Sequence, residues 1–521
     1  MQGSKLLRTW KGWQVSCYGG RYSIQRLLAL ETYAKNTPLW RVLLVCMGTP
    51  LPMATFIFIQ ESMPLRDPRD GWSVNYGQWI RAAMLTSVLL CACTMVIAAY
   101  VIFPIPFSVL TMTPIYNILY IVSFRLVMGA DVIRRTKAQP EQFKRYMNNL
   151  HAQILMMFVY PVYEVLFRTA QGSHYQLFVI LLLPMIKVII KNIMRKCTMH
   201  AEDMVPEAVI FTVDFFNAIY VATCMQTASS VVSIVIIVLT DLFQTFIMLY
   251  GLYRRTASIS SFLAHTVQNP PSSERKDKFF SVLCGLCRNP EVFKKQIRAG
   301  ITIRSCFSYD LAAADLSLLD TLDATMKDVD TIPRENTSTY KRWFCFRNGL
   351  DSVHPTTDLV DLAVPTRTDK RQLTRNHKPT RRKTAEHPIF LRDSLEVLFS
   401  VECLVLTSYL EAVIPLFYTT YILVMVHLPS AKYHTEMVGI TTENVSARIS
   451  PVFMFGLLQI ASFVLLLAMV KRNCMMRALY QLAFVLESQK LLIQTKLIVW
   501  MMITLCFRVM HFGTLRKTMK I

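Results

Sequence analysis

Residues 205–253 read VPEAVIFTVDFFNAIYVATCMQTASSVVSIVIIVLTDLFQTFIMLYGLY: two apolar runs joined by the short connection 226–230, each with one aspartate near its middle. About 20 apolar residues in a helix cross the hydrocarbon of a bilayer, and each run has that length. The runs are continuous and do not alternate with polar residues, which excludes the strands of an outer-membrane barrel. Two such runs back to back predict an antiparallel pair of membrane helices.

Working outward, the same pattern recurs at 42–59, 82–103, 107–128, 154–167, 177–193, 404–428, 452–470 and 491–509. With 205–225 and 231–253 this makes ten candidate segments, so the expected fold is all-α: a polytopic transmembrane bundle of about nine or ten segments. Prolines interrupt several of them, at Pro50, Pro52, Pro114, Pro161, Pro184 and Pro415. Each removes a backbone donor that neighbouring helices must make good. The composition agrees. Of 521 residues, 53% are apolar and 17% charged, a balance that rules out disordered, fibrous and disulfide-stapled secreted chains. The thirteen cysteines are odd in number, and Cys46, Cys91, Cys93, Cys224, Cys403 and Cys506 fall inside apolar runs as small buried hydrophobes.

Lys and Arg number 56 against 34 Asp and Glu, a net charge of +22 that must sit between the apolar runs. Basic connections occur around Arg134 to Arg145, at Lys191, Arg195 and Lys196, across 254–393, and at Lys471, Arg472 and Arg477. Weakly charged ones fall between them, at 171–175, 226–230 and 429–450. The positive-inside rule then places the long central loop in the cytoplasm and the sequon Asn444, Val445, Ser446 outside. The N-terminal end breaks this parity. One of the first three segments is expected not to span, and 42–59 is the candidate because Thr49, Pro50, Leu51 and Pro52 interrupt it.

The expected organisation is a basic cytoplasmic segment 1–41 with no cleavable leader, a membrane bundle 42–253, a partly disordered cytoplasmic loop 254–393, membrane helices 394–513 and a basic tail 514–521. The loop carries 24 Lys plus Arg against 16 Asp plus Glu. Within it, Leu311, Leu318, Leu322, Met326 and Val329 alternate with aspartates as in an amphipathic helix. That helix either packs on the loop's own surroundings or docks a protein partner. Lys370, Arg371, Arg375, Lys378, Arg381, Arg382 and Lys383 form a juxtamembrane cluster suited to anionic lipid headgroups. The competing reading is a solvated strand that merely enforces topology. No nucleic-acid-binding pattern accompanies this charge.

Chemistry-bearing motifs are sparse. Cys284 and Cys287 form a CxxC without a second close ligand pair, and Asp328 with Asp330 forms a DxD outside any nucleotide-binding context. No GxSxG, HExxH, GxxxxGK or GxGxxG occurs, so no cofactor or catalytic residue is called for.

What remains is the set of ionisable residues inside the runs. A lone aspartate at the bilayer centre costs roughly 2.5–3.5 kcal/mol on insertion scales, so Asp214 and Asp241 should face the bundle interior. Lys187 is a candidate partner, and Asn217 and Gln244 would add neutral ligands along a proton or cation path. The competing reading is that these acids only hold helices together. Glu402 and Glu411, nine residues apart, lie on opposite faces of one helix.

The residues Gly20 to Ser23, Arg41 to Cys46 with Thr49 to Pro52, Gly71 and Trp72, Asn75 to Gly77, Trp79 to Arg81, Leu395 and Glu396, His427 to Pro429, Gln481 to Glu487, and His511 with Gly513 run from one end of the chain to the other. On them the chain resembles a large family of uncharacterised polytopic membrane proteins expanded in oomycetes. The resemblance implies the membrane architecture and transfers no activity. The expected function is a multi-pass membrane protein, transporter or channel-like, with a receptor or scaffold acting through 254–393 as the alternative.

Overall fold

A computed structural model of the chain describes residues 20–330 and 390–509, apart from 68–69, 71–72, 86–87, 101–104, 106–110, 139, 171, 174, 199–201, 229, 267–277, 295 and 297–300. Among the described residues the fold is helical, and the one β feature is an isolated bridge between His434 and Val509. The helices are α1 (Ile24–Asn36), α2 (Leu39–Gly48), α3 (Leu51–Ser62), α4 (Tyr76–Leu85), α5 (Val88–Tyr100), α6 (Thr113–Ala138), α7 (Pro140–Thr169), α8 (Gln176–Thr198) and α9 (Val205–Thr227). There follow α10 (Val231–Thr266), α11 (Lys278–Arg288), α12 (Pro290–Lys294), α13 (Ala313–Asp330), α14 (Phe390–Met425), α15 (Val445–Cys474), α16 (Ala478–Ser488) and α17 (Lys490–Arg508).

Among the described residues, eight stretches are long and apolar enough to cross a bilayer: Leu39–Ser62, which joins α2 and α3, then Phe143–Thr169, α8, α9, Val231–Arg254, α14, α15 and α17. The chain is a multi-pass membrane protein. Burial sorts these helices into centre and rim. The apolar window of α9 is wholly buried and that of α14 is 94% buried, whereas that of Val231–Arg254 is 11% buried. All three sequences are apolar all round, so the difference lies in what covers them. Protein covers α9 and α14. On α10 and α15, side chains such as Phe243, Phe246, Val464 and Leu465 stay exposed, as lipid-facing residues do.

Side-chain pairs fix which ends lie together. Arg41 at the start of α2 pairs with Glu487 at the end of α16, and Glu61 at the end of α3 meets His434 in the 429–444 connection. Arg508 at the end of α17 pairs with Glu436 in that same connection, and Gln226 at the end of α9 donates to the Glu436 carbonyl. Leu39–Ser62 therefore extends from the end of α16 to the 429–444 connection, and it has the length and apolarity of a span, although the proline break makes 42–59 the segment expected not to cross. At the break, the Cys46 carbonyl, which Pro50 leaves without its helical N–H donor, accepts from the Tyr409 hydroxyl at 2.6 Å, and Pro52 sits in the first turn of α3, where its missing N–H costs nothing. Between Ser62 and Phe143 lie α4, α5 and α6, none of which is among the helices long and apolar enough to cross by themselves.

The described part of the N-terminal segment, from Gly20, packs on the bundle. Helix α1 is capped by Ser23, whose Oγ accepts from the Arg26 N–H, and its first eight residues are buried among α11, α13, α14 and α16. Gly20 lies against Phe399 so closely that a Cβ there would come within 2.5 Å of the ring. At Gly77 a Cβ would come within 2.1 Å of the Pro64 carbonyl oxygen. The described part of the central loop closes over the same helix. In α13, Leu319 and Leu322 turn inward, while Asp320 and Asp323 hold Arg304 at the surface. Of the apolar residues expected to line that helix, Leu322 is buried and Leu318 partly so, against the same chain, while Leu319 joins them and the side chains of Met326 and Val329 lie outside those described. The basic cluster from Lys370 to Lys383 lies outside the described residues.

An epitope inserted at Gly439 and another placed after Val509 should both be reached from one side of the membrane, and an epitope at Arg477 from the other. Protease protection in sealed vesicles checks this, and labelling of Gly439 and Val509 from opposite sides would break the topology.

Candidate functional site

The buried ionisable groups gather at three depths along α14 and its neighbours. Near the basic face, Arg26 donates through Nη2 to Glu402 at 2.7 Å and through Nη1 to the Asp203 carbonyl at 2.9 Å. Ser23 Oγ donates to Asp203 Oδ2 at 2.9 Å, and the Tyr22 hydroxyl donates to Glu402. Burial, opposed by Arg26 and reinforced by Glu402, pushes the Tyr22 phenol well above its ordinary range, so it remains a donor.

Near the sequon face, Arg81 Nη1 donates to Glu61 at 2.8 Å, and His434 Nε2 lies 3.0 Å from the same carboxylate oxygen. Arg508 donates to Glu436 at 2.7 Å and to Thr223 Oγ1 at 2.8 Å. Each of these bonds joins two different helices or connections, so the two layers fasten the ends of the bundle.

The middle layer holds the residues singled out from sequence. Helix α9 is π-helical over Ile210–Asp214, the one-residue widening that often accompanies a functional position, and it ends on Asp214. Asp214 is fully buried. Its Oδ1 lies 2.7 Å from Lys191 Nζ and 3.4 Å from Lys187 Nζ, and Thr407 Oγ1 donates to its Oδ2 at 2.8 Å. Lys187 donates in turn to Glu411 at 2.6 Å. Asp214 is thus sealed by two ammonium groups and a hydroxyl, which is the bundle-holding arrangement.

Asp241 sits differently. It is half-buried on the peripheral helix α10, and Gln459 of α15 donates to it. A cavity of about 30 Å³ opens beside it, walled by Asn217 of α9, Thr240, Asp241 and Gln244 of α10, and Ile180 and Pro184 of α8. Thr240, Asp241 and Gln244 share one face of α10, being three and four residues apart. The structure therefore brings Asn217, Asp241 and Gln244 to one cavity and places Lys187 and Asp214 in the adjoining charge cluster. No ion pair or hydrogen bond joins Asp214 to Asp241 among the described residues, so the hairpin does not make them a carboxylate pair.

Sequence reading missed four participants. Lys191 was counted with a basic connection, but it is buried one turn beyond Lys187, and the four-residue spacing is the signal that both point to one side. Arg26, Arg508 and Gln459 had no local signal, because their partners are hundreds of residues or several helices away.

Cys284 and Cys287 are both buried on α11, packed beside α1, and Cys306 is exposed. Burial pushes the Cys287 thiol up to about 12. No group of three His, Cys, Asp or Glu side chains arranged to hold a metal occurs among the described residues. No family model matches the chain, and neither does any curated protein or solved structure.

Glu411→Leu should strip Lys187 of its close partner and lower stability by about 3–5 kcal/mol, the usual penalty for leaving one buried charge unpaired. Lys187→Met combined with Glu411→Leu should recover much of that loss, as read from thermal unfolding in detergent; additive losses would show that the two groups do not interact. Because the Cys287 thiolate is scarce below a pH of about 12, maleimide should modify it in the folded protein far more slowly than after denaturation at the same pH. Equal rates at pH 8 would contradict its burial.

Proposed function

We propose that this multi-pass membrane protein is transporter or channel-like, and that Asp241 is the residue that takes up the moving charge. The cavity at Asp241 carries the reading. It brings an acid, two amides, the hydroxyl-bearing Thr240 and Tyr163 and the Cys224 thiol together among apolar side chains, where an ionisable group is costly and is kept for a use. At about 30 Å³ it has room for about two water-sized bodies, which favours a proton or a small ion over an organic solute. Asp214, Lys187, Lys191 and Glu411 then serve as a fixed electrostatic wall beside the path. The Lys370 to Lys383 cluster would hold the neighbouring connection to anionic headgroups.

A receptor or scaffold is the second reading, favoured by the way the described part of the central loop is ordered. Arg288 of α11 lies 3.0 Å from Glu31 of α1 and 3.3 Å from Asp315 of α13, tying three elements into one surface on the basic face. Membership of the oomycete-expanded family belongs with either reading. Several of the residues that carry that resemblance, Gly20, Tyr22, Gly77, Arg81 and Gln481, occupy tight or buried positions.

Purified protein in liposomes should dissipate an imposed proton or monovalent-cation gradient faster than protein-free liposomes, and Asp241→Asn should return the rate to that of the empty vesicles. Wild-type flux no greater than in empty liposomes would remove the transport reading and leave the scaffold.

A further inference from the structure

We infer that the Asp241 cavity is a binding site for one dehydrated alkali cation, a step beyond the transport reading on which its functional meaning rests. Charge count gives the valence. The middle of the bundle holds the ammonium groups of Lys187 and Lys191 and the carboxylates of Asp214 and Glu411, which balance in close pairs. Asp241 is the odd carboxylate, held by the neutral Gln459. When ionised it leaves the region one unit negative, which calls for one positive charge and not two.

Ligand chemistry distinguishes a metal cation from a proton. Residue 184 is proline, so the Ile180 carbonyl lacks the N–H that would bond it four residues on, and both residues line the cavity. Asn217 is only 6% exposed and lines the same cavity, with no hydrogen-bond partner among the described residues. Thr240 Oγ1 donates its hydrogen to the Ile236 carbonyl at 2.7 Å, which leaves its lone pairs free to accept. Gln244 supplies a further amide oxygen. A proton would engage Asp241 alone, and the Asn217 and Gln244 amide oxygens would then depend on water in the cavity for their hydrogen bonds. An alkali ion takes a carboxylate, amide oxygens, a hydroxyl and a main-chain carbonyl together. Freed helix carbonyls at mid-membrane coordinate sodium in transporters by the same physics. The carboxylate, amide, hydroxyl and carbonyl oxygens suit a hard cation, the Cys224 thiol being the one soft group on the wall, and a magnesium ion would keep a water shell too large for this volume.

The test is thermal unfolding of the full chain in detergent, with sodium, potassium, lithium or choline chloride at constant ionic strength. The midpoint should rise saturably with at least one alkali ion and not with choline. Asp241→Asn should weaken the apparent affinity on the order of a hundredfold, as expected when a unit charge beside a partly buried cation is removed. Pro184→Ala restores the donor to the Ile180 carbonyl, so it should diminish the alkali response even where it stabilises the helix. A wild-type midpoint indifferent to all four salts, or raised equally by choline, overturns the inference whether or not either variant folds. Alkali stabilisation without flux in liposomes keeps the site and removes the transport reading. Flux driven by pH alone, with no alkali response, keeps transport and removes the site.

Discussion

Charge in hydrocarbon is the constraint on which the rest of this structure depends. An ionised side chain within the bilayer costs several kcal/mol unless a partner of opposite sign and enough hydrogen bonds meet it there. The chain answers by matching acids and bases across helices at three depths: Arg26 with Glu402, Lys187 and Lys191 with Glu411 and Asp214, and Arg508 with Glu436. Apolar packing between membrane helices is weakly specific, since lipid tails are as apolar as leucine. These pairings therefore decide which helices sit together, and the apolar side chains fill the space between them.

Helix α14 is the axis of this arrangement. Its 36 residues reach about 54 Å at 1.5 Å per residue, longer than the hydrocarbon is thick, so its first turns project beyond the bilayer on the basic face. Glu402 and Glu411 point to different sides of it and serve different layers, one fastening the N-terminal helix and the other answering α8. Gly456 of α15 lets that helix approach Leu416 closely, so the backbone of α14 is covered along its length. Against this rigid centre Asp241 stands apart, on a rim helix, with a neutral partner and a cavity at its side.

Bilayer thickness made the membrane helices legible, because it imposes a run length that few other environments demand. Eight of the ten apolar runs coincide with helices that meet that length, and the other two overlap α4 to α6. The opposed faces of Glu402 and Glu411 followed from helical pitch alone. The sheltering of Asp214 followed from its cost in lipid, although its nearest base, Lys191, did not. Counting basic residues places them at membrane edges, yet a helix continues past its apolar run, and Lys191 rides inward with it. The break at Thr49 and Pro50 is compensated from a distance: proline removes one helical donor, and the carbonyl so freed, that of Cys46, accepts from Tyr409 on α14. The Arg26 and Arg508 partnerships were beyond local reading, because nothing near either arginine hints at a carboxylate far along the chain.

The docking of Tyr22 and Arg26 onto Glu402 also orders events in time. Those partners are separated by 380 and 376 residues, so the opening of the chain is made long before the helix that receives it. At translation speeds of about 5–20 residues per second, the segment around Gly20 waits on the order of 20–80 s with its guanidinium and phenol unclaimed. Its seating against Phe399 is accordingly a late step of biogenesis, one that registers that the second half of the polypeptide has been inserted in the correct sense.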